Sequence, residues 1–268
     1  MAGLLAEIRR INAIGDTPVA EPFAGGAGAS LSLLYREEAS EIFINDADCA
    51  MHDFWWTLCH RPAPLLDRVS RAKVNLREWR RQRSIYREHS NSRLARGFAA
   101  FYLNRCNRSG IIMNGGPIGG IGQRGEWKID ARFNKSDLRQ RCERIVEYRN
   151  RIHVSGLDGL KFIHKLRSRR TFFFIDPPYY EKGPTLYLNT LDHEYHQALG
   201  RELKSLGQPW VLTYDDCPEI RKIYSGWAQV RPFALRYVAS ERRKGRELLI
   251  APKGMLLPDV QNSAAIDW

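Results

Sequence analysis

The sequence predicts an α/β fold, a largely parallel sheet carrying an inserted, mainly helical and basic segment. Three observations predict it. Short apolar runs near residues 19–21, 41–46, 171–176 and 209–216 end at a glycine turn or an acid. Helix-compatible stretches separate several of them, as in βαβ units. Positive charge then gathers in one place. Residues 61–151 hold 22 Lys and Arg against 8 Asp and Glu, a larger surplus than the net +12 of the whole 268-residue chain.

The elements follow in order. "MAGLLAEIRRINAIGD" reads as an amphipathic helix and lacks the basic start and cleavage site of a signal peptide. "VAEPFAGGAGASLSLL" reads as a strand, a glycine-rich turn and a helix start, and "EIFIND" as a second strand ending in Asp46. "LREWRRQRSIYREHSNSRLARGFAAFYLNR" is helical and strongly basic. "CNRSGIIMNGGPIGGIGQRGEWKID" is dense in glycine and reads as loops with a hairpin. "KSDLRQRCERIVEYRNRI" returns to helix, with Ser136 or Asp137 as its N-cap. Sheet signals resume at "IHVSG" and "RTFFFIDPPYY", a helix is expected near 192–206, and "PWVLTYDD" is a further buried strand. "VRPFALRYVAS" and "ELLIAP" flank the basic turn "ERRKGR" as an antiparallel hairpin.

Composition narrows the function. No run approaches the length of a membrane span. The five cysteines are odd in number, scattered and without C-x-x-C, which disfavours a disulfide framework or zinc and fits a reducing cytoplasm. His193 and His196 could share a helix face, but two histidines without further ligands read as a polar face and not a metal site. The pI near 9.7 and the clustered charge point to a polyanionic partner.

Two motifs carry chemistry. Gly25, Gly26 and Gly28 follow a strand, where small residues let a ligand approach the backbone. Asp46 lies about twenty residues beyond, where an acid accepts ribose hydroxyls. That pattern serves several nucleoside cofactors. "DPPY" is more specific. A strand delivers Asp176 to the carboxyl edge of the sheet, and Pro177 and Pro178 stiffen the turn. A carboxylate, the rigid Pro177 carbonyl and the Tyr179 ring together suit an exocyclic amine on a planar base. Two acceptors on the amine protons favour pyramidal nitrogen, and they stabilise the positive charge that develops as it attacks a methyl group.

These motifs resemble those of the Dam-type (D12 class, α-arrangement) adenine-N6 DNA methyltransferases. "EPFAGGAG" looks like the cofactor loop, "IND" with Asp46 like the ribose-binding acid, and "DPPY" like the catalytic motif. "WVLTYDD" and "RYVAS…ELLI" look like later strands, and "FYLNRCNRSG" with "RGEWKID" like the target-recognition region. The resemblance implies a Rossmann-like methyltransferase sheet over 1–52 and 152–268, with recognition in 53–151. It implies S-adenosyl-L-methionine as donor and a flipped adenine in double-stranded DNA as acceptor. Asp176, Pro177 and Tyr179 would hold the base. Glu21, Phe23, Gly25, Asp46, Asp158 and Asp176 would line the cofactor site. The chain departs from the family in three ways. It has no K-W-x-G-x-K motif before the cofactor loop, Arg108 stands where an aromatic is common, and "GGPIGGIGQ" is long and glycine-rich.

In the recognition segment Asn104, Arg105, Asn107 and Arg108 are residue types that read base edges, and Arg124 and Lys128 could reach bases or phosphates. Arg80, Arg81, Arg83 and Arg87 suit phosphates. Trp79 and Trp127 are expected to pack a local core. A methyltransferase acting on RNA, or a DNA-binding subunit inactive without a partner, stays open beside the DNA enzyme. A monomer is the default state.

Overall fold

The computed structural model describes residues 1–88, 90–180, 191–234 and 246–259. It divides into two compact units. The first holds Met1–Asn45 and the described residues from Leu157 onward, and the second holds Asp46–Gly156.

The first unit opens with α1 (Ala2–Ile11), β1 (Val19–Glu21), α2 (Gly28–Tyr35) and β2 (Ile42–Asn45). Leu4, Leu5 and Ile8 bury one face of α1, as its amphipathic pattern requires. Arg9 is also buried. Its Nη2 donates to the carbonyls of Gly15, Thr17 and Glu38, each at 2.7 Å, and its guanidinium stands over the Phe172 ring. Burial pulls this guanidinium down to about 10.

The second unit begins with α3 (Cys49–His60), α4 (Pro62–Arg71), α5 (Leu76–Arg87) and α6 (Arg93–Cys106). It ends with α7 (Lys135–Glu147) and β3 (Ile152–Ser155). The long basic run is thus two helices, with Asn75 and Ser92 capping their starts. The N-cap of α7 is Asn134, whose side chain accepts from Asp137 N–H. The expected Ser136 and Asp137 lie inside the first turn. No hairpin forms over 106–130 among the described residues. After α6 that stretch is a short 3-10 helix (Arg108–Gly110) and turns, with a single bridge, Asn107 to Pro117. Seven glycines deny it the side chains that would fix a strand register.

Trp79, Phe98, Tyr102 and Phe133 form the core of this unit. Gly97 lets α6 pass close to α3, since a Cβ there would lie 2.6 Å from Phe54 N. Buried Asp53 pairs with Arg93 Nε at 2.9 Å and Arg96 Nε at 2.6 Å, which joins the same two helices.

The first unit resumes with α8 (Gly159–Leu166), β4 (Phe172–Ile175), α9 (His193–Lys204) and β5 (Trp210–Asp215). It closes with α10 (Pro218–Tyr224), β6 (Ala228–Ala234) and β7 (Arg246–Pro252). Its strands run in the order β2-β1-β4-β5-β7-β6. The first four are parallel, and β7 is antiparallel to both β5 and β6. The expected hairpin is β6 with β7. Its "ERRKG" turn and the "RYVAS" stretch lie outside the described residues. Val19, Ala20, Phe172–Ile175 and Trp210–Leu212 are buried, the uninterrupted apolar reading of strands covered on both faces.

Candidate active site

β1 pairs with β2 on one side and β4 on the other, and all three run parallel. The strand order reverses there, and open α/β sheets bind ligands beyond the carboxyl ends of strands at such a point. Two sequence motifs meet at this edge, the glycine loop after β1 and "DPPY" after β4.

The glycine loop is held from beneath. Glu21, at the end of β1, is buried, and its Oε1 accepts the backbone N–H of Ser30 at 2.9 Å and the Ser30 hydroxyl at 2.7 Å. Burial raises its carboxyl to about 7 against the Ser30 bonds, with the Asp176 charge adding to the rise. Gly25 takes φ +47°, which favours glycine. Cβ atoms built on Gly25, Gly26 or Gly28 would meet nothing within 4 Å, so the loop leaves room for a ligand against its backbone. The residues present thus fit a nucleoside cofactor. Phe23 packs its ring over Gly159, where a Cβ would lie 2.4 Å from Phe23 Cζ.

Two neighbours of the loop make hydrogen bonds within this unit. Asp158 is the N-cap of α8. Its Oδ1 accepts from Leu160 and Lys161 N–H, and its Oδ2 accepts the Tyr195 hydroxyl at 2.8 Å. Both carboxylate oxygens accept hydrogen bonds within the protein, so Asp158 has a structural role in starting α8. Asn45 was not singled out in the sequence. It is buried, donates to the carbonyls of Pro22 and Leu157 at 2.9 and 2.8 Å, and accepts Leu157 N–H at 2.8 Å. It ties the loop after β1 to the chain entering α8. Its signal was a polar residue ending an otherwise apolar strand.

The "DPPY" turn is braced by β5. Thr213 Oγ1 donates to Asp176 Oδ1 at 2.7 Å. Asp215 Oδ1 accepts Tyr180 N–H at 3.0 Å. Residues two apart on a strand face the same way, so one edge of β5 grips both ends of the two-proline turn. Asp176 reaches solvent, yet the surrounding protein raises its carboxyl to about 6, and the Thr213 bond opposes that rise. Nothing among the described residues donates to the Pro177 carbonyl. Tyr179 packs against the core of this unit. On the opposite face of β5, buried Tyr214 bonds His196 Nδ1 at 2.6 Å, while Tyr180 Oη pairs with His193 Nδ1 at 3.0 Å. His196 is packed inside, exposed His193 also bonds Gln197, and no group of residues suited to a metal occurs among the described residues.

Asp46 begins the second unit, half-buried, with its Oδ1 accepting Asp48 N–H at 2.9 Å. Asp48 caps α3 and accepts the Tyr86 hydroxyl.

The recognition residues divide. Asn107 is fully buried. Its Oδ1 accepts Trp79 Nε1–H at 2.6 Å, and its Nδ2 donates to the Ile111 and Ile112 carbonyls. It organises the loop from inside and does not present its amide to a base. Asn104 is spent on Arg105 and on the Gly110 carbonyl, and burial lowers the Arg105 guanidinium. Lys128 is exposed but donates to the Gln123 and Gly125 carbonyls at 2.9 Å. Arg108 and Arg124 are exposed. Trp79 packs in the core as expected, whereas Trp127 is 66% exposed and Ile121 56%. Trp127 sits on a loop stapled by Gln123 and offers its ring to solvent instead of to a local core.

The model of the D12 class N6 adenine-specific DNA methyltransferase family matches residues 3–240. The chain belongs to that family. Methyl transfer to adenine in DNA is therefore its class of activity. Solved structures similar to this D12-class chain include a "conserved hypothetical protein" of Streptococcus pyogenes, at 11% identity over 89% of this chain and 88% of that one, with a TM-score of 0.36. Another is "Putative methyltransferase yhhF from Escherichia coli", at 10% identity over 94% and 85%, with a TM-score of 0.37. No curated protein matches at a significant level. Among the described residues of this D12-class chain, no helix is long and apolar enough to cross a membrane.

Proposed function

We propose that this chain methylates N6 of an adenine flipped out of duplex DNA, at a defined target sequence, with S-adenosyl-L-methionine as donor. The observation that supports it most is the Asp176–Pro177 pair, two acceptors held at the sheet's switch point by Thr213 and Asp215. Asp176 Oδ2 and the Pro177 carbonyl accept the two amine protons, and Tyr179 stacks on the base at about 1–3 kcal/mol. Accepting both protons favours pyramidal N6 and frees its lone pair. As nitrogen gains positive charge, Asp176 stabilises it. The carboxyl, near 6 and open to solvent, is placed to take the released proton and pass it to water. Phe23 and the Gly25 loop would hold the donor, and Asp46 keeps the ribose role that the resemblance gives it. When bound, the donor supplies an electrophilic methyl group. Reaching N6 requires flipping, as for other enzymes that modify a paired base.

The test is transfer of labelled methyl from S-adenosyl-L-methionine to duplex DNA by the purified protein, followed by sequencing that reads base and position. The expected result is N6-methyladenine within one sequence context, abolished in Asp176→Ala with DNA binding retained. Absence of both transfer and donor binding by calorimetry would favour a DNA-binding subunit inactive without a partner.

A further inference from the structure

The four arginines of α5 are not equivalent. Arg81 is neutralised by Glu78, with Nε and Nη2 bonds of 3.0 and 2.7 Å. Arg80, Arg83 and Arg87 make no ion pair among the described residues, and they recur at the spacing that places side chains on one helix face. They line a depression of about 280 Å³ with Trp79, Ser84 and Glu88. Glu88, the one acid at its rim, accepts the Ser84 hydroxyl. Arg83 stands over the Trp79 ring at 5.3 Å, and its Nε is buried with no hydrogen-bond partner. Its guanidinium is lowered by burial and by repulsion from Arg87. Three positive charges thus line one depression against a single acid, an arrangement that an anion would relieve.

We propose that this face of α5 is a seat for a backbone phosphodiester of duplex DNA. This rests on the reading that the substrate is duplex DNA. The seat has a consequence for recognition. Its wall, Trp79, donates its indole N–H to Asn107, and Asn107 holds the Ile111 and Ile112 carbonyls at the start of the glycine-rich loop. A phosphate fixed at α5 therefore sets the position of the loop that carries Arg108 and Arg124. Phosphate contacts give register, and base contacts give sequence.

The experiment measures affinity of the full chain for a duplex across salt concentrations. Each phosphate contact contributes about 0.9 to the slope of log K against log salt. Arg83→Gln is expected to reduce the slope by about one, Arg83→Lys to preserve it, and Arg81→Gln to leave it unchanged. Thermal unfolding of each variant controls for folding. Equal effects of Arg81→Gln and Arg83→Gln, or none from either, would overturn the seat in favour of a generally solvated basic face. A duplex without 5′-phosphates should show the same Arg83 effect; its loss there would reassign the seat to strand ends and overturn the proposal. Methyl transfer is read in parallel. Transfer without an Arg83 effect leaves the enzyme and removes the seat. An Arg83 effect without transfer leaves the seat and removes the enzyme reading.

Discussion

Thr213 on β5 and Asp176, directly after the neighbouring parallel β4, are joined by a 2.7 Å hydrogen bond from hydroxyl to carboxylate. The bond holds the Asp176 carboxyl lower than burial alone would set it. Thr213→Val should cost about tenfold in kcat, the worth of one hydrogen bond to a charged group. The acid limb of the pH–rate profile should also move to higher pH, because the opposing bond is gone. Thr213→Ser should restore both. Steady-state kinetics across pH 5–9 decide it, and an unmoved acid limb would show that Thr213 only packs.

Asp176 also sets a direction for stability. Its folded-state value near 6 lies above the ordinary 3.8, so the folded chain binds more protons between those values than the unfolded one. Stability from this group is present at low pH and is lost as pH rises through that window. Asp176→Asn should raise the Tm at pH 7–8, with the gain shrinking to nothing by about pH 4 while transfer stays abolished. Thermal scans across pH check the sign.

Two glycine substitutions should separate structure from ligand binding. A Cβ at Gly97 would meet the Phe54 and Asp53 backbone at 2.6–2.8 Å, so Gly97→Ala should destabilise by roughly 1–3 kcal/mol. A Cβ at Gly26 meets nothing within 4 Å, so Gly26→Ala should fold as well as wild type and bind S-adenosyl-L-methionine more weakly. Urea titration and calorimetry give the two readouts.

The recognition segment divides in the same manner. Asn107→Ala leaves the buried Trp79 N–H and two loop carbonyls without their partner, and should cost about 1–3 kcal/mol of stability along with DNA affinity. Arg108→Ala, Arg124→Ala and Trp127→Ala act on exposed side chains. They should leave stability within about 0.5 kcal/mol and change only DNA binding or target choice.

Much of this was legible in the sequence, because strand hydrophobicity, glycine turns and proline stiffness are local properties. "FFFIDPPYY" and "VAEPFAGG" each announce a strand and what ends it. What orientation decides was not legible. Residue type alone made Asn107 a base reader, whereas the fold buries it beneath Trp79. Trp127 was expected inside and is outside, since the turns fixed by Gln123 determine where its ring points. Asp158 was read for a ligand contact, and its capping of the first amides of α8 was not foreseen. The support from Thr213 and Asp215 depends on the register between β4 and β5, which neither strand encodes by itself.

That register makes activity a question of parity. Ile175 lies opposite Leu212, so the chain leaves β4 with Asp176 facing Thr213. A single-residue insertion early in β5 would invert every side chain after it. Leucine and tyrosine would then face the turn, and the threonine and acid would face the hydrophobic interior. The same insertion between α10 and β6 would displace a loop without touching the turn. Tolerance to insertions should therefore be uneven along this unit. A library scored for methylation would mark β5 as a short forbidden stretch between permissive ones, a length-sensitive signature of the support behind Asp176.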